Sequence, residues 1–319
     1  MNEVEFKADP KVAILGAGAI GQLLYHQLSA AGPCPYFITR KETLSKQTLT
    51  FTSLENKVSD SEAQLLCSDP QSHSGDELVS TLAGTELIIV CVKAYQVRSA
   101  INAILSRLPK QCHILLLHNG MGPHLEIAKQ LSTQGLSVGT TSQGALKLAP
   151  WHIQQTGSGS TQFGHVSGSK LPERLKALLL NAIAHSQWCD PILPLLWQKL
   201  AINAVINPLT AIEQCRNGDL AAPRYQAMRD EIISELVEVA HADGVELDKL
   251  VLTNRINEVI KLTANNFSSM HQDVANKRQT EIEAISGYII KRAAIHGLIS
   301  KANQQLFEQV KTLESRYLS

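Results

Sequence analysis

Apolar positions along the chain follow two rhythms. In the first half, Val12-Ala13-Ile14-Leu15, Tyr36-Phe37-Ile38-Thr39, Leu87-Ile88-Ile89-Val90-Cys91-Val92 and Ile114-Leu115-Leu116-Leu117 are short apolar runs bounded by turn signals. Runs without polar alternation are what strands buried on both faces of a parallel sheet require. Gln22 to Ala31 and Val97 to Leu108 carry helical spacing between them, so the pattern is βαβ and the expected class is α/β. Leu136 to Thr140 and Gln162 to His165 extend the strand set, and Gly157-Ser158-Gly159-Ser160 reads as a turn between strands. After about Asp190 strand-like runs give way to long helical periods: Leu195 to Ile212, Arg224 to Ala242, Leu247 to Thr263, Ser269 to His296 and Lys301 to Tyr317. Pro191 and Pro194 mark the expected junction.

One helical period breaks the usual rule for a surface helix. Between Leu196 and Pro208, Lys199, Asn203 and Asn207 recur every four residues and nearly everything between them is apolar. Each step of four drifts about 40° around an α-helix, so the three form one narrow polar stripe on an otherwise apolar helix. Such a helix is buried, and a buried ammonium is costly unless it has partners or a chemical role. The stripe therefore reads as the wall of a site.

Composition narrows the classes of partner. The 319 residues suit two domains, and 29 basic against 29 acidic residues give no electrostatic argument for nucleic acid or an anionic membrane. The first ten residues read as a polar lead-in, and no apolar run reaches the length of a membrane span. Cytoplasm is the expected compartment. Six cysteines without a Cys-x-x-Cys pair and eleven dispersed histidines give no ligand spacing, so no metal is expected.

Gly16-Ala17-Gly18-Ala19-Ile20-Gly21 follows the first expected strand and opens a helix. In that order the first glycine permits the tight turn, the second lets a pyrophosphate approach the backbone, and the third allows close helix packing. Phosphates then sit on the helix N-terminus. At the end of the second strand stands Arg40, followed by Lys41, where an NAD-preferring site offers a carboxylate; a guanidinium there suits a 2′-phosphate, which favours NADP. Lys93 and Asn119 lie after two further strands, where open α/β sheets bind ligands, and are expected to converge on one crevice. The expected architecture is thus an N-terminal Rossmann-type doubly wound α/β sheet (residues 11–190) followed by an all-α C-terminal substrate domain (residues 191–319). In the latter, Ser269 with Gln272 reads as a capping box, at a helix start suited to a carboxylate. Glu281 and Glu283 follow on the same expected helix, and the sequence leaves open which faces inward.

The glycine loop, Lys93-Ala94-Tyr95-Gln96, His118-Asn119-Gly120-Met121-Gly122, Trp197-Gln198-Lys199-Leu200-Ala201-Ile202-Asn203, Asn207-Pro208-Leu209-Thr210-Ala211, Ser268-Ser269-Met270-His271-Gln272-Asp273 and Thr280-Glu281-Ile282 together resemble the ketopantoate reductase (2-dehydropantoate 2-reductase) family, in order and over essentially everything after residue 10. The resemblance implies NADPH-dependent reduction of 2-dehydropantoate to (R)-pantoate, on the route to pantothenate and coenzyme A. It puts the family's active-site lysine on Lys199 and its glutamate on Glu281. It places substrate contacts on Asn119, Lys199, Asn203, Asn207, Asn217, Asn266 and Ser269, and cofactor contacts on Gly16 to Gly21, Arg40, Lys93, Asn119, Ala145 and Glu281. Asp219, and Gly144 with Leu146 around Ala145, depart from the family pattern. A reductase of another branched 2-oxo acid and a non-catalytic NADP(H)-binding sensor remain alternatives, and a monomer and a homodimer are both open.

Overall fold

The computed structural model describes residues 10–40, 45–69 and 75–318; residues 1–9 of the polar lead-in and Lys41 lie outside them. The chain divides into two compact units, Met1–His118 with His124–Ile192, and Asn119–Pro123 with Leu193–Ser319. The five residues from Asn119 to Pro123 thus pack with the C-terminal helices, whereas a sequence boundary at residue 190 groups them with the sheet.

The first unit comprises β1 (Val12–Leu15), α1 (Ala19–Ala30), β2 (Tyr36–Thr39), β3 (Lys46–Thr52), β4 (Val58–Cys67), α2 (Gly75–Leu82), β5 (Leu87–Val90), α3 (Val97–Asn102) and β6 (His113–Leu116). There follow α4 (Pro123–Ala128), which starts at the boundary between units, β7 (Gly135–Thr141), β8 (Gly144–Ala149), β9 (His152–Gly157), β10 (Thr161–Ser167), α5 (Glu173–Ala182) and β11 (Ser186–Trp188). The strands form one sheet in the order β11-β10-β7-β6-β5-β1-β2-β4-β3-β9-β8. Its centre, β4-β2-β1-β5-β6-β7, is parallel throughout. That is the doubly wound order, with strand direction of travel reversing between β1 and β5, where such folds bind ligands. β1, β5 and β6 are buried at every residue, which is why they read as unbroken apolar runs.

Outside that centre the structure departs from the sequence-based elements. β3, antiparallel to β4, lies between β2 and β4 in the chain, where the sequence pattern assigns no element. β3 then pairs in parallel with β9, which pairs with β8, so the sheet continues well beyond the nucleotide-fold core. The expected helix from Val97 to Leu108 ends at Asn102 and gives way to a short 3₁₀ turn, Leu105–Arg107. Leu108, held out of the helical region by the Pro109 ring that follows it, is extended at ψ 141° and ends that turn.

The second unit holds α6 (Leu193–Glu213), α7 (Gln226–Ala242), α8 (Lys249–Leu262), α9 (Ser269–Ala275), α10 (Ser286–Ile295) and α11 (Lys301–Ser315). α6 packs against α7, α8, α9 and α11, so its apolar sides all meet protein. The single helix expected from Ser269 to His296 is broken: α9 ends at Ala275, Lys277 takes φ +53°, and helix resumes at Ser286. Among the described residues no helix is long and apolar enough to cross a membrane.

α11 is fixed at its start by a buried carboxylate. Glu235 of α7 accepts the backbone N–H of Ala302 at 2.7 Å and of Asn303 at 3.0 Å, and the Asn303 side-chain amide at 2.8 Å. These are the orphan donors of a helix N-terminus, met by the charge its dipole favours. Replacing Glu235 with Ala strands them in a buried place. Glu235→Ala is expected to lower stability by about 2–3 kcal/mol, the scale of losing hydrogen bonds to a charged group. A denaturant midpoint unchanged from the parent protein would show that water or a neighbour replaces the carboxylate.

Candidate active site

The glycine loop follows from sterics at three positions. Gly16 sits at φ +107°, and a Cβ there would lie 2.6 Å from Val92 Cγ1. A Cβ at Gly21 would lie 2.2 Å from the Gly16 carbonyl oxygen, so this residue sets how closely α1 approaches the turn. At Gly18 a Cβ would meet nothing nearer than the Cys91 carbonyl oxygen at 3.8 Å. The second glycine therefore faces open space while the other two are required by packing. Gly18 caps α1 without a side-chain hydrogen bond, and no acidic residue occupies the first turn. These features fit a bound pyrophosphate: an open backbone approach to a helix start that carries partial positive charge.

The neighbouring predicted residues belong to the same unit. The Gly16 N–H donates to the Ile38 carbonyl at 3.1 Å, which sets the end of β2 beside the loop, and Arg40 lies exposed one residue beyond β2. Lys93 is half-buried just after β5, and its N–H donates to Gln96 Oε1 at 3.3 Å. Ala145 lies in β8, whose hairpin with β9 is tied to α1 through Gln22 Nε2 to the Pro150 carbonyl, 2.9 Å, and whose approach is tied through Gln27 Nε2 to Gln143 Oε1, 2.7 Å.

In the second unit, α6 carries Lys199, Asn203 and Asn207 as the spacing predicts. The two asparagines are each 7% exposed, and Lys199 is half-buried. Burial, then the positive charge of Arg255 on α8, lowers the Lys199 pKa below the ordinary lysine value. The amide nitrogen of Asn203 has no hydrogen-bond partner among the described residues. Neither has the side-chain carbonyl oxygen of Asn217, also 7% exposed, although its amide nitrogen donates to Thr263 Oγ1 at 3.0 Å. Buried polar atoms left in this state are normally completed by water or ligand. Asn217 is held by backbone bonds from its N–H to the Asn266 carbonyl, 3.0 Å, and from Gly218 N–H to the Ala264 carbonyl, 3.1 Å.

The helix start near Asn266 differs by one residue from the sequence expectation. Ser268, not Ser269, caps α9: its hydroxyl accepts the His271 N–H at 3.0 Å and lies 2.7 Å from Thr210 Oγ1 on α6. Ser268 is buried, whereas Ser269 and Asn266 are exposed. Two adjacent serines give the same composition signal, and only the backbone angles separate them. Thr210 was also missed, since a threonine within an apolar helix carries no signal for a partner 58 residues away.

Glu281 lies not on a helix but at the turn before the 3₁₀ segment Ile282–Ala284. It is 5% exposed, and its Oε2 accepts from Asn119 Nδ2 at 3.2 Å. Glu283 points the other way, half-exposed, 3.9 Å from Lys291 and 3.6 Å from Lys311. Asn119 reaches Glu281 because the Met121 N–H donates to the Ala284 carbonyl at 2.7 Å. Gly120 makes that docking possible: at φ +79°, its Cβ would fall 2.3 Å from the Ala284 oxygen. Two residues 162 positions apart are thereby paired. Lys93 and Asn119, expected to share a crevice, are placed in different units.

A doubly wound sheet with this glycine turn defines the first unit as a dinucleotide-binding fold, here followed by an all-helical unit with a lysine-bearing polar stripe. Comparison with known proteins gives the family. Residues 12–168 match the family described as ketopantoate reductase PanE/ApbA, and residues 192–314 match its C-terminal domain; the chain belongs to the ketopantoate reductase family. A 2-dehydropantoate 2-reductase of Vibrio cholerae serotype O1 is 35% identical over 308 residues, covering 96% of this chain and 98% of the relative. The crystal structure of a PanE/ApbA family ketopantoate reductase from Ralstonia eutropha JMP134 has a TM-score of 0.83 at 26% identity, covering 97% of this chain and 100% of that one. A D-mandelate dehydrogenase, solved with NADH and anilino(oxo)acetate, has a TM-score of 0.86 at 23% identity, with coverage of 97% and 100%, and shares the fold.

The contrast between the glycines is testable. Gly21→Ala is expected to destabilise the protein by about 1–3 kcal/mol through overpacking, although alanine is the better helix former. Gly18→Ala is expected to fold with a loss below about 1 kcal/mol, yet to weaken dinucleotide binding by crowding the open approach. Calorimetric unfolding and dinucleotide titration read the two effects separately, and equal destabilisation by both variants would contradict the assignment.

Proposed function

We propose that the protein is an NADPH-dependent oxidoreductase that reduces 2-dehydropantoate to (R)-pantoate in pantothenate and coenzyme A biosynthesis. The observation that carries this reading is the half-buried Lys199 in line with Asn203 and Asn207 on α6, together with buried amide atoms of Asn203 and Asn217 that have no hydrogen-bond partner among the described residues. That lining suits a small ligand rich in oxygen atoms, and the curated relatives bear the name 2-dehydropantoate 2-reductase. The unit built on the sheet is the cofactor domain and the helical unit, which takes in Asn119–Pro123, the substrate domain. The substrate is a small molecule, with no nucleic acid or membrane as partner, and the compartment is cytoplasmic.

When bound, the nicotinamide supplies hydride to the ketone carbon. Charge then gathers on the carbonyl oxygen, and Lys199 in its ammonium form stabilises that oxygen and gives it a proton. Burial tunes this acid by bringing its pKa down from the ordinary lysine value, which makes the proton easier to release. Asn203 and Asn207 hold substrate without competing for the charge, and Asn217, Asn266 and Ser269 complete its contacts. Glu281, aligned by Asn119, accepts a hydrogen bond from the substrate hydroxyl. Arg40, exposed at the end of β2, pairs with the 2′-phosphate that distinguishes NADPH from NADH. Lys93 and Ala145 lie along the same cofactor domain.

The D-mandelate dehydrogenase was solved with NADH and an oxo acid, so one fold serves different names and does not by itself choose the substrate. A reductase of another branched 2-oxo acid is therefore the second reading. Both separate from a non-catalytic NADP(H) sensor in one assay: purified protein, NADPH absorbance and a panel of 2-oxo acids. Fastest turnover on 2-dehydropantoate supports the first reading, faster turnover on another member the second, and no oxidation with any the sensor.

Lys199→Ala is expected to cost roughly 10²- to 10⁴-fold in turnover, the usual range for a general acid, with NADPH binding nearly unchanged. Because the ammonium is the working form, activity should be lost as pH rises through the lowered Lys199 pKa, an alkaline limb below that of an ordinary lysine. Parent-like turnover in the variant would remove Lys199 from the reaction. For Arg40→Ala, NADPH affinity should fall more than NADH affinity; equal losses measured by titration would free Arg40 of 2′-phosphate recognition.

A further inference from the structure

Between Asn276 and Glu281 the chain is not helical, so its backbone polar groups must find partners elsewhere. Thr280, immediately before Glu281, is fully buried, and its N–H donates to Glu314 Oε1 of α11 at 2.7 Å. Glu314 is itself only 2% exposed. A buried carboxylate is costly without compensation, and here the compensation is the Thr280 N–H on one oxygen and the Lys311 ammonium 3.0 Å from the other. Nearby, the Tyr317 hydroxyl donates to the Arg278 carbonyl at 3.2 Å, and the Arg278 N–H donates to the Asp273 carbonyl at 2.8 Å. The last turn of α11 and Tyr317 just beyond it thus hold the stretch that presents Glu281.

The coupling to Glu281 is close. Thr280 Oγ1 accepts the Ile282 N–H at 3.3 Å, and the Glu281 carbonyl accepts Ala284 N–H at 3.0 Å and Ile285 N–H at 3.1 Å. Glu281 is therefore flanked by bonded backbone on both sides, with Glu314 anchoring the N-terminal side. The other end of α11 is fixed by Glu235, so the helix that carries Glu314 has little freedom to follow a shifting turn. We propose that Glu314 is a positioning residue for the reductase reaction, holding Thr280 so that the Glu281 carboxylate meets Asn119 and the substrate. This rests on the reading of Glu281 as a substrate-contacting group.

The test is a double-mutant cycle on the full-length enzyme with 2-dehydropantoate and NADPH. Glu314→Met should lower kcat/KM roughly tenfold, the scale of one lost charge-assisted hydrogen bond, and Glu314→Gln, which keeps an acceptor for the Thr280 N–H, should recover most of it. In a Glu281→Gln background, Glu314→Met should cause no further loss, because its effect runs through a carboxylate already removed. Losses that multiply in the double variant would show Glu314 to be structural only, and overturn the inference. Parent-like kinetics for Glu281→Gln alone would overturn the reading of Glu281 itself, and this inference with it. Should Glu314→Met fail to fold, Glu314→Asp, which withdraws the carboxylate by one methylene, is read in the same cycle.

Discussion

A lysine on a helix that is mostly buried is a constraint that the rest of the second unit must satisfy. α6 meets α7, α8, α9 and α11, and carries Lys199, Asn203 and Asn207 as one stripe along a mostly apolar surface. Position along that stripe is fixed by the helical repeat, so Lys199, Asn203 and Asn207 cannot be moved independently. Keeping an ammonium there requires neighbours that neither strand it nor neutralise it permanently. Thr210 and Ser268 serve the same helix from its far end, pinning α9 to α6 through a contact between hydroxyls and so fixing the loop that carries Asn266.

The Asn119–Glu281 pair answers a different problem. A carboxylate needed at one side of a site must be presented by backbone, and here the backbone is a turn and not a helix. A turn has no repeating hydrogen bonds to hold it, so it borrows from three separate places: the 119–123 segment through the Ala284 carbonyl, α11 through Glu314, and its own threonine hydroxyl. Glycine at position 120 is what allows the first of these, since any side chain there would collide with the acceptor. Several weak constraints converging on one short turn give a defined side-chain direction that no single bond supplies.

What the sequence reveals and what it hides follow from the range of the interactions involved. β1, β5 and β6 are legible because strands buried on both faces must be continuously apolar. β3 is not, because of Lys46–Thr52 only Leu49 and Thr52 are buried, too few apolar positions to make a strand signal. The stripe on α6 is legible because one helix repeat contains it. The inward direction of Glu281 is illegible because it depends on a break near Lys277, where Ala275-Asn276-Lys277-Arg278 offers neither Gly nor Pro as a signal. The Thr210–Ser268 contact and the Asn119–Glu281 pair likewise depend on tertiary geometry, at 58 and 162 residues of separation.

The choice of amides around Lys199 follows from the work proposed for it. A carboxylate in direct contact would hold the ammonium in an ion pair and raise its pKa, making a stable cation but a reluctant proton donor. A wholly apolar lining would press the pKa down further, until the amine was neutral and could donate nothing at working pH. Asparagine does neither: its amide is neutral, it can accept from the ammonium with one end and donate to a substrate oxygen with the other. Burial, then the positive charge of Arg255, lowers the Lys199 pKa below the ordinary lysine value. General-acid efficiency is greatest when the acid's pKa approaches the operating pH while the protonated form is still populated. A lysine lowered by burial, with neutral amides as its neighbours along the helix stripe, moves toward that condition, which a direct salt bridge would not reach.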